Sequence, residues 1–104
     1  MTKITATKEN KKPYVLVRTY SAGVFVGTLE SLKGKEAQLS NARRIWYWKG
    51  AASLSQLAQS GTSDPGGCKF PEEVSKVVLT EAIEILSVTA AARKTIEQVP
   101  VWKQ

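Results

Sequence analysis

The chain has no histidine and a single cysteine, Cys68, among its 104 residues. These two shortages exclude a large part of enzyme chemistry. Without histidine there is no Ser-His-Asp or Cys-His arrangement, and no side chain whose ordinary pKa lies near neutrality to act as a general base. With one cysteine there is neither an internal disulfide nor a Cys/His zinc site. The carboxylates Glu72, Glu73, Glu81 and Glu84 are too scattered to replace those ligands, so no metal or cofactor is expected. No stretch approaches the roughly 20 apolar residues that cross a bilayer. The N-terminal sequence MTKITATKENKK has no apolar core of a secretory signal. A cytoplasmic protein that makes no membrane contact is the expectation, and a lone thiol suits a reducing compartment.

What remains is a chain with 42% apolar residues, enough for one globular domain. At this size roughly 60–70% of the unfolded surface is buried on folding, which allows a core without staples. The net charge of +6 would by default point to a polyanionic partner. Its placement weakens that reading. Residues 1–12 carry Lys3, Lys8, Lys11 and Lys12 against Glu9 and few large apolar side chains, so they read as a basic flexible tail with a net +3. The domain, residues 13–104, holds only the other +3.

Beyond Pro13 the residues alternate as strands do. Tyr14–Tyr20 and Val24–Glu30 are rich in β-branched and aromatic residues and flank Ser21-Ala22-Gly23, which predicts a hairpin. Gly27 inside the second strand predicts a bulge or a close backbone approach. Leu32–Lys35 is a turn signal. Glu36–Trp48 reads as a long third strand, with a break in alternation at Asn41-Ala42. Ser53-Leu-Ser-Gln56 has the form of a capping box, so a short helix runs from there to Gly61. Residues 61–73 hold Gly61, Pro65, Gly66 and Gly67 and read as a long loop. Val74–Val88 reads as one bent strand or two short ones, with a helix over Thr80–Leu86 as the alternative. Thr89 caps a last helix, Ala90–Gln98, stopped by Pro100. Val101 and Trp102 should then return to the body and bury. The fold class is α+β: a small, mostly antiparallel sheet or SH3-like open barrel with two short helices.

The segment Asn41-Ala-Arg-Arg-Ile-Trp-Tyr-Trp-Lys-Gly50 concentrates the chemistry. If it is extended, Trp46 and Trp48 share a face with Arg44, while Tyr47 shares the other with Ile45 and Arg43. Arginine beside indole suits the stacking of a base or the grip of an anion. Lys49 leads on to the helix start near Ser53, where free N–H groups attract phosphate. Arg18 and Tyr20, at the end of the first strand, form a second polar group. Each feature also has an ordinary reading, since Trp and Tyr fill barrel cores, arginine snorkels, and a capping box is common helix chemistry. Cys68 lies beside Lys69 but has no base to activate it.

The runs Tyr14-Val-Leu-Val-Arg-Thr-Tyr-Ser-Ala-Gly-Val24, Asn41–Ala51, Ser53–Ala58, Cys68-Lys-Phe-Pro71, Leu79–Leu86 and Val99-Pro-Val-Trp102 together resemble a small phage- and prophage-encoded domain of unknown function. The likeness spans nearly all of residues 14–102. It implies an accessory factor working in a host cytoplasm, where proteins of this size often antagonise defence and some are homo-oligomers that sequester nucleotide signals. On that basis the first expectation is a protein that captures a small anionic nucleotide, such as a cyclic dinucleotide or an ADP-ribose derivative, without catalysis. Its ligand residues would be Arg18, Tyr20, Arg43, Arg44, Trp46, Tyr47, Trp48, Lys49 and Ser53. A single-stranded nucleic-acid-binding module and a protein–protein inhibitor of a host factor are the alternatives, and a nucleotide-cleaving enzyme is the least favoured class. An exposed tryptophan strand would also favour a homo-oligomer, a dimer or larger.

Overall fold

Tyr14–Thr19 (β1) and Val24–Lys33 (β2) form the hairpin, turning through Gly23 at φ +95, where a side chain would be strained. A computed structural model of the chain describes residues 12–103. β2 continues three residues past the expected end, so the turn into Glu36–Arg44 (β3) tightens to Gly34-Lys35. The break in β3 falls where the sequence placed it. Asn41 takes φ +48 and the register against β2 shifts opposite Gly27. A Cβ on Gly27 would lie 3.0 Å from the Ala42 Cα, so glycine is what allows the two backbones to close up here.

β3 stops at Arg44, four residues short of the expected Trp48. The β propensity of Ile-Trp-Tyr-Trp is high, but the partner strand begins at Val24, whose carbonyl takes the Ile45 N–H as the last contact. A strand cannot extend beyond the chain it pairs with. The following segment is two short strands, Val74–Leu79 (β4) and Ala82–Ser87 (β5), and the helical alternative for Thr80–Leu86 is not adopted.

The sheet order is β4-β3-β2-β1-β5, antiparallel throughout. β4 and β5 are joined by only Thr80 and Glu81, yet they occupy opposite edges. In a flat sheet those edges would stand roughly 19 Å apart, while the link spans at most about 11 Å. The sheet must therefore curl until its edges meet at this corner. The Ala82 N–H reaches the Lys35 carbonyl (2.9 Å), and the Tyr20 N–H reaches that of Glu81 (2.9 Å). The result is the expected small α+β fold in its open-barrel form.

Curling gives the sheet two cores. Val15, Val17, Phe25, Leu39 and Leu79 fill the inside. Leu16 and Val26, one residue out of phase, face outward onto Leu57, Phe70, Ile96 and Val99. Each fully buried side chain of this size contributes about 1.5–3 kcal/mol, so β1 stabilises both layers at once. The outer layer is closed by Leu54–Ser60 (α1) and Ala90–Glu97 (α2). Ser53 caps α1 by accepting from the Gln56 N–H, and Thr89 caps α2 by accepting from the Ala92 N–H, as the sequence predicts. The helices touch where Thr89 donates to the Gln59 carbonyl and Thr95 Oγ1 accepts from the Thr62 N–H.

Residues 1–11 of the expected tail lie outside the described residues. Lys12, the last residue of the expected tail, forms an ion pair with Glu30 of β2. That contact, with a hydrogen bond from Ser40, holds the Glu30 carboxyl below its ordinary pKa.

Tyr14 sits between the outer sheet face and α2, with the Arg93 guanidinium 4.2 Å above its ring. Burial raises its phenol pKa, and the Arg93 charge opposes that only in part. A raised folded-state pKa means that the contribution to stability is intact below the ordinary value near 10 and is lost as pH rises through the higher folded value. Spectrophotometric titration should show a late tyrosine component that coincides with alkaline unfolding and disappears in Tyr14→Phe. A titration already complete at the pH expected for free tyrosine would contradict this.

Candidate functional site

The contacts of Arg43 and Arg44 with Trp46, Tyr47 and Trp48 expected within residues 43–48 do not form, because the side chains part company at the end of β3. Arg43 and Arg44 are neighbours on a strand and point to opposite faces. Arg44 is exposed and lies over the Phe25 ring at 4.6 Å, on the inner-core side. Arg43 turns to the outer layer and is 8% exposed. There its guanidinium donates to four main-chain carbonyls: Val99 (2.8 Å), Phe70 (2.9 Å), Pro100 (3.2 Å) and Pro71 (3.4 Å). It also stacks on Phe70, 5.2 Å from the ring centre. Burial lowers its pKa, while the nearby Tyr14 and Glu73 favour the charged form. With four donors already committed, Arg43 is a poor candidate for a phosphate ligand.

Beyond Arg44 the chain crosses to the 68–70 segment. Tyr47 bridges Lys69, whose carbonyl accepts from the Trp46 and Tyr47 N–H groups (3.1 and 3.2 Å), while the Lys69 N–H returns to the Tyr47 carbonyl at 2.7 Å. This divides the three aromatic residues. Trp48 packs against the outer core and donates its indole N–H to the Ala51 carbonyl (3.2 Å), so it is structural. Trp46 and Tyr47 remain exposed, 64% and 48% respectively.

Trp46 is not alone. Phe70 forms a parallel bridge with Val101, and the Trp102 N–H donates to the Phe70 carbonyl at 2.9 Å. This brings Trp102 against Trp46, with ring centres 6.1 Å apart and planes within 12°. The expected return of Val101 and Trp102 to the body therefore occurs, but they do not bury; Trp102 stays 38% exposed. Lys69 completes the cluster, its ammonium 5.9 Å from the Tyr47 ring centre and 5.6 Å from that of Trp102. The outcome is an open platform of three rings and a lysine, with the exposed Lys49 two residues beyond Tyr47.

The other expected ligand residues are spent elsewhere. Arg18 faces Glu84 across β1 and β5 and pairs with it at 3.0 Å. Tyr20 lines a separate groove of about 420 Å³ with Lys35, Glu81 and Ile83, at the β4–β5 corner. Ser53 is occupied in capping α1, and Gln56 Oε1 accepts from the Ala52 N–H, so the start of this seven-residue helix is satisfied internally. Two further clefts, of about 240 and 270 Å³, surround Arg43 and Arg44 separately. None of these three clefts is lined by an indole ring.

The loop 61–73 is ordered by its own contacts. Pro65–Gly67 forms a 3-10 turn, and the buried Cys68 thiol rests against the carbonyls of Lys49 (3.4 Å) and Asp64 (3.6 Å). Sequence reasoning missed Lys69 and Trp102 as site residues. The available signal is a tryptophan isolated near a polar chain end, which the sequence pattern alone assigns to the core.

Among the described residues no helix is long and apolar enough to cross a membrane. Neither a curated protein nor a solved structure matches the chain. A family model does, across residues 12–96, from the Lys12–Glu30 ion pair to the buried Ile96 of α2. That span carries the whole sheet, both helix caps and the Trp46, Tyr47 and Lys69 part of the platform, and the chain belongs to this family, described as a domain of unknown function (DUF6948).

Proposed function

We propose that the chain is a non-catalytic binding protein whose Trp46–Tyr47–Lys69–Trp102 platform stacks the bases of single-stranded nucleic acid. The observation that carries this reading is the pairing of exposed, near-parallel indole rings with an ammonium group less than 6 Å from two aromatic faces. Base–aromatic stacking contributes about 1–3 kcal/mol per base and tolerates any sequence. An open surface can hold a polymer that adds several such contacts, whereas a small ligand usually needs a cleft enclosing most of its surface. Lys49, Lys69, Lys103 and the lysines of residues 1–11 supply the salt-dependent part of the binding.

A second reading keeps the platform and changes the ligand to a small nucleotide signal. It is favoured by the exposed aromatic patch itself, which a second copy of the chain would cover, and two facing platforms would enclose a base. A phage origin, a host cytoplasm and antagonism of host defence accompany that reading and come from the sequence resemblance to phage-encoded domains, not from the family model. A host protein as partner is the remaining alternative, with the same rings as its anchor.

Fluorescence titration with an oligothymidylate of about ten nucleotides separates these readings. Binding should weaken steeply with salt, and Trp46→Ala should weaken it about ten-fold. A mononucleotide that binds as tightly as the oligomer, with little salt dependence, would favour capture of a small signal. Equal affinities for wild type and Trp46→Ala would remove the platform from either role.

A further inference from the structure

We infer that Arg43, although buried and out of reach of any ligand on the platform, is the positioning residue that sets the Trp102 half of it. The inference rests on the platform reading for its functional meaning, but its structural content is independent. Trp46, Tyr47 and Lys69 come from the body of the fold. Trp102 comes from the segment that follows α2, beyond the helix-ending Gln98. Val99 anchors the start of that segment by burial, but Pro100, Val101 and Trp102 are exposed, so apolar packing does not fix their course. What fixes it is polar. The Trp102 N–H reaches the Phe70 carbonyl, and Arg43 takes the carbonyls of Val99 and Pro100. The same guanidinium holds Phe70 and Pro71, so one planar group ties the strap to the segment it docks on.

Arginine is the side chain this task requires. Its fork presents five donors in fixed directions, and four of them meet carbonyls from two chain segments. A lysine ammonium at the same place keeps the charge but has three donors on a flexible stem, and cannot span both segments. Among the described residues no carboxylate lies within ion-pair distance of Arg43, so its charge is balanced by main-chain dipoles rather than by a salt bridge. The guanidinium therefore acts on the backbone course of residues 70–71 and 99–100.

The test is a double-mutant cycle in the full chain, with the same oligothymidylate as probe. Trp102→Ala should weaken binding about ten-fold, and Arg43→Lys by a similar factor. If Arg43 acts through Trp102, the double variant should bind no more weakly than Trp102→Ala alone. Losses that multiply, or an Arg43→Lys variant that binds like wild type, would overturn the inference. A ligand-free readout keeps the two proposals apart. The near-ultraviolet circular dichroism of the Trp46–Trp102 pair, taken as the difference between wild type and Trp102→Ala, should vanish in Arg43→Lys while unfolding stays cooperative. If that signal persists, the clamp is wrong whatever the ligand. If it vanishes but wild type binds no oligonucleotide, the platform reading fails and the clamp stands. Arg43→Gln, which leaves no uncompensated charge, replaces the lysine variant if that one does not fold. Failure of both to fold would make Arg43 a residue of the body and end its case as a positioning residue.

Discussion

Phe70→Ala is expected to destabilise the protein by about 3–5 kcal/mol, in the range found when a large buried aromatic is truncated in a packed core. Phe70 is fully buried, the largest side chain in the outer layer to be so. Its ring lies under the Arg43 guanidinium, so the variant removes a cation–π contact as well as apolar area. For a domain of this length the loss corresponds to a fall in melting temperature on the order of 20 °C, which calorimetry would read directly. Little room exists for the cavity to collapse, because the neighbouring backbone is fixed by the Arg43 and Trp102 hydrogen bonds to the Phe70 carbonyl. A drop of only a few degrees would mean that α2 and β1 close over the gap, and that the outer layer is less tightly built than its burial implies.

Gly50→Ala is expected to cost about 3 kcal/mol or more for a reason that has nothing to do with apolar area. Gly50 sits at φ +83, where an L side chain is strained. A Cβ there would lie 2.5 Å from Thr62 Oγ1, 2.6 Å from the Asp64 nitrogen and 2.8 Å from the Ser63 nitrogen. Two of the three obstacles are backbone, and the Gly50 carbonyl is itself bound by the Ser63 N–H at 3.1 Å. Relief therefore requires moving the 62–64 turn away from the Lys49–Gly50 segment. That same movement uncovers Cys68, whose thiol is packed between Lys49 and Asp64. The measurement is the rate of thiol labelling under native conditions. It should rise many-fold in Gly50→Ala, with a parallel fall in melting temperature. A stable variant with an unreactive thiol would show that the turn yields without cost.

What the sequence makes legible is local. The hairpin, the Gly27 approach, the Asn41 bulge and both helix caps are local, each decided within a few residues, and pattern was enough to find them. The contacts of Arg43 reach 27 to 57 residues along the chain, and nothing near Arg43 announces them. Alternation places Arg43 and Arg44 on opposite faces, but it cannot say which face is buried by helices and which lies over Phe25. The aromatic run was readable as unusual, yet extending β3 to Trp48 put its rings on the wrong partners. The strand ended because β2 had no residues left to pair with. Trp102 was the hardest to place, since its neighbours in space are Trp46 and Lys69, which no periodicity connects to it.

The two-residue corner at Thr80-Glu81 also bears on how fast the native state is reached. The β2–β3 hairpin pairs residues close in sequence and can form early, whereas β1 must wait for β5 to arrive from Val15 to Ser87, 72 positions along. Pairings of such sequence separation carry a large loop-closure entropy before they return any stabilisation, and chains dominated by them fold in milliseconds to seconds rather than microseconds. Until β5 docks, the free edge of β1 and the half-open barrel are exposed to other chains, and this is the stage at which association between unfinished molecules competes with folding. Joining β1 and β5 early, through a permuted chain whose new ends lie in an exposed turn, would shorten that interval while keeping the strand order of the finished protein.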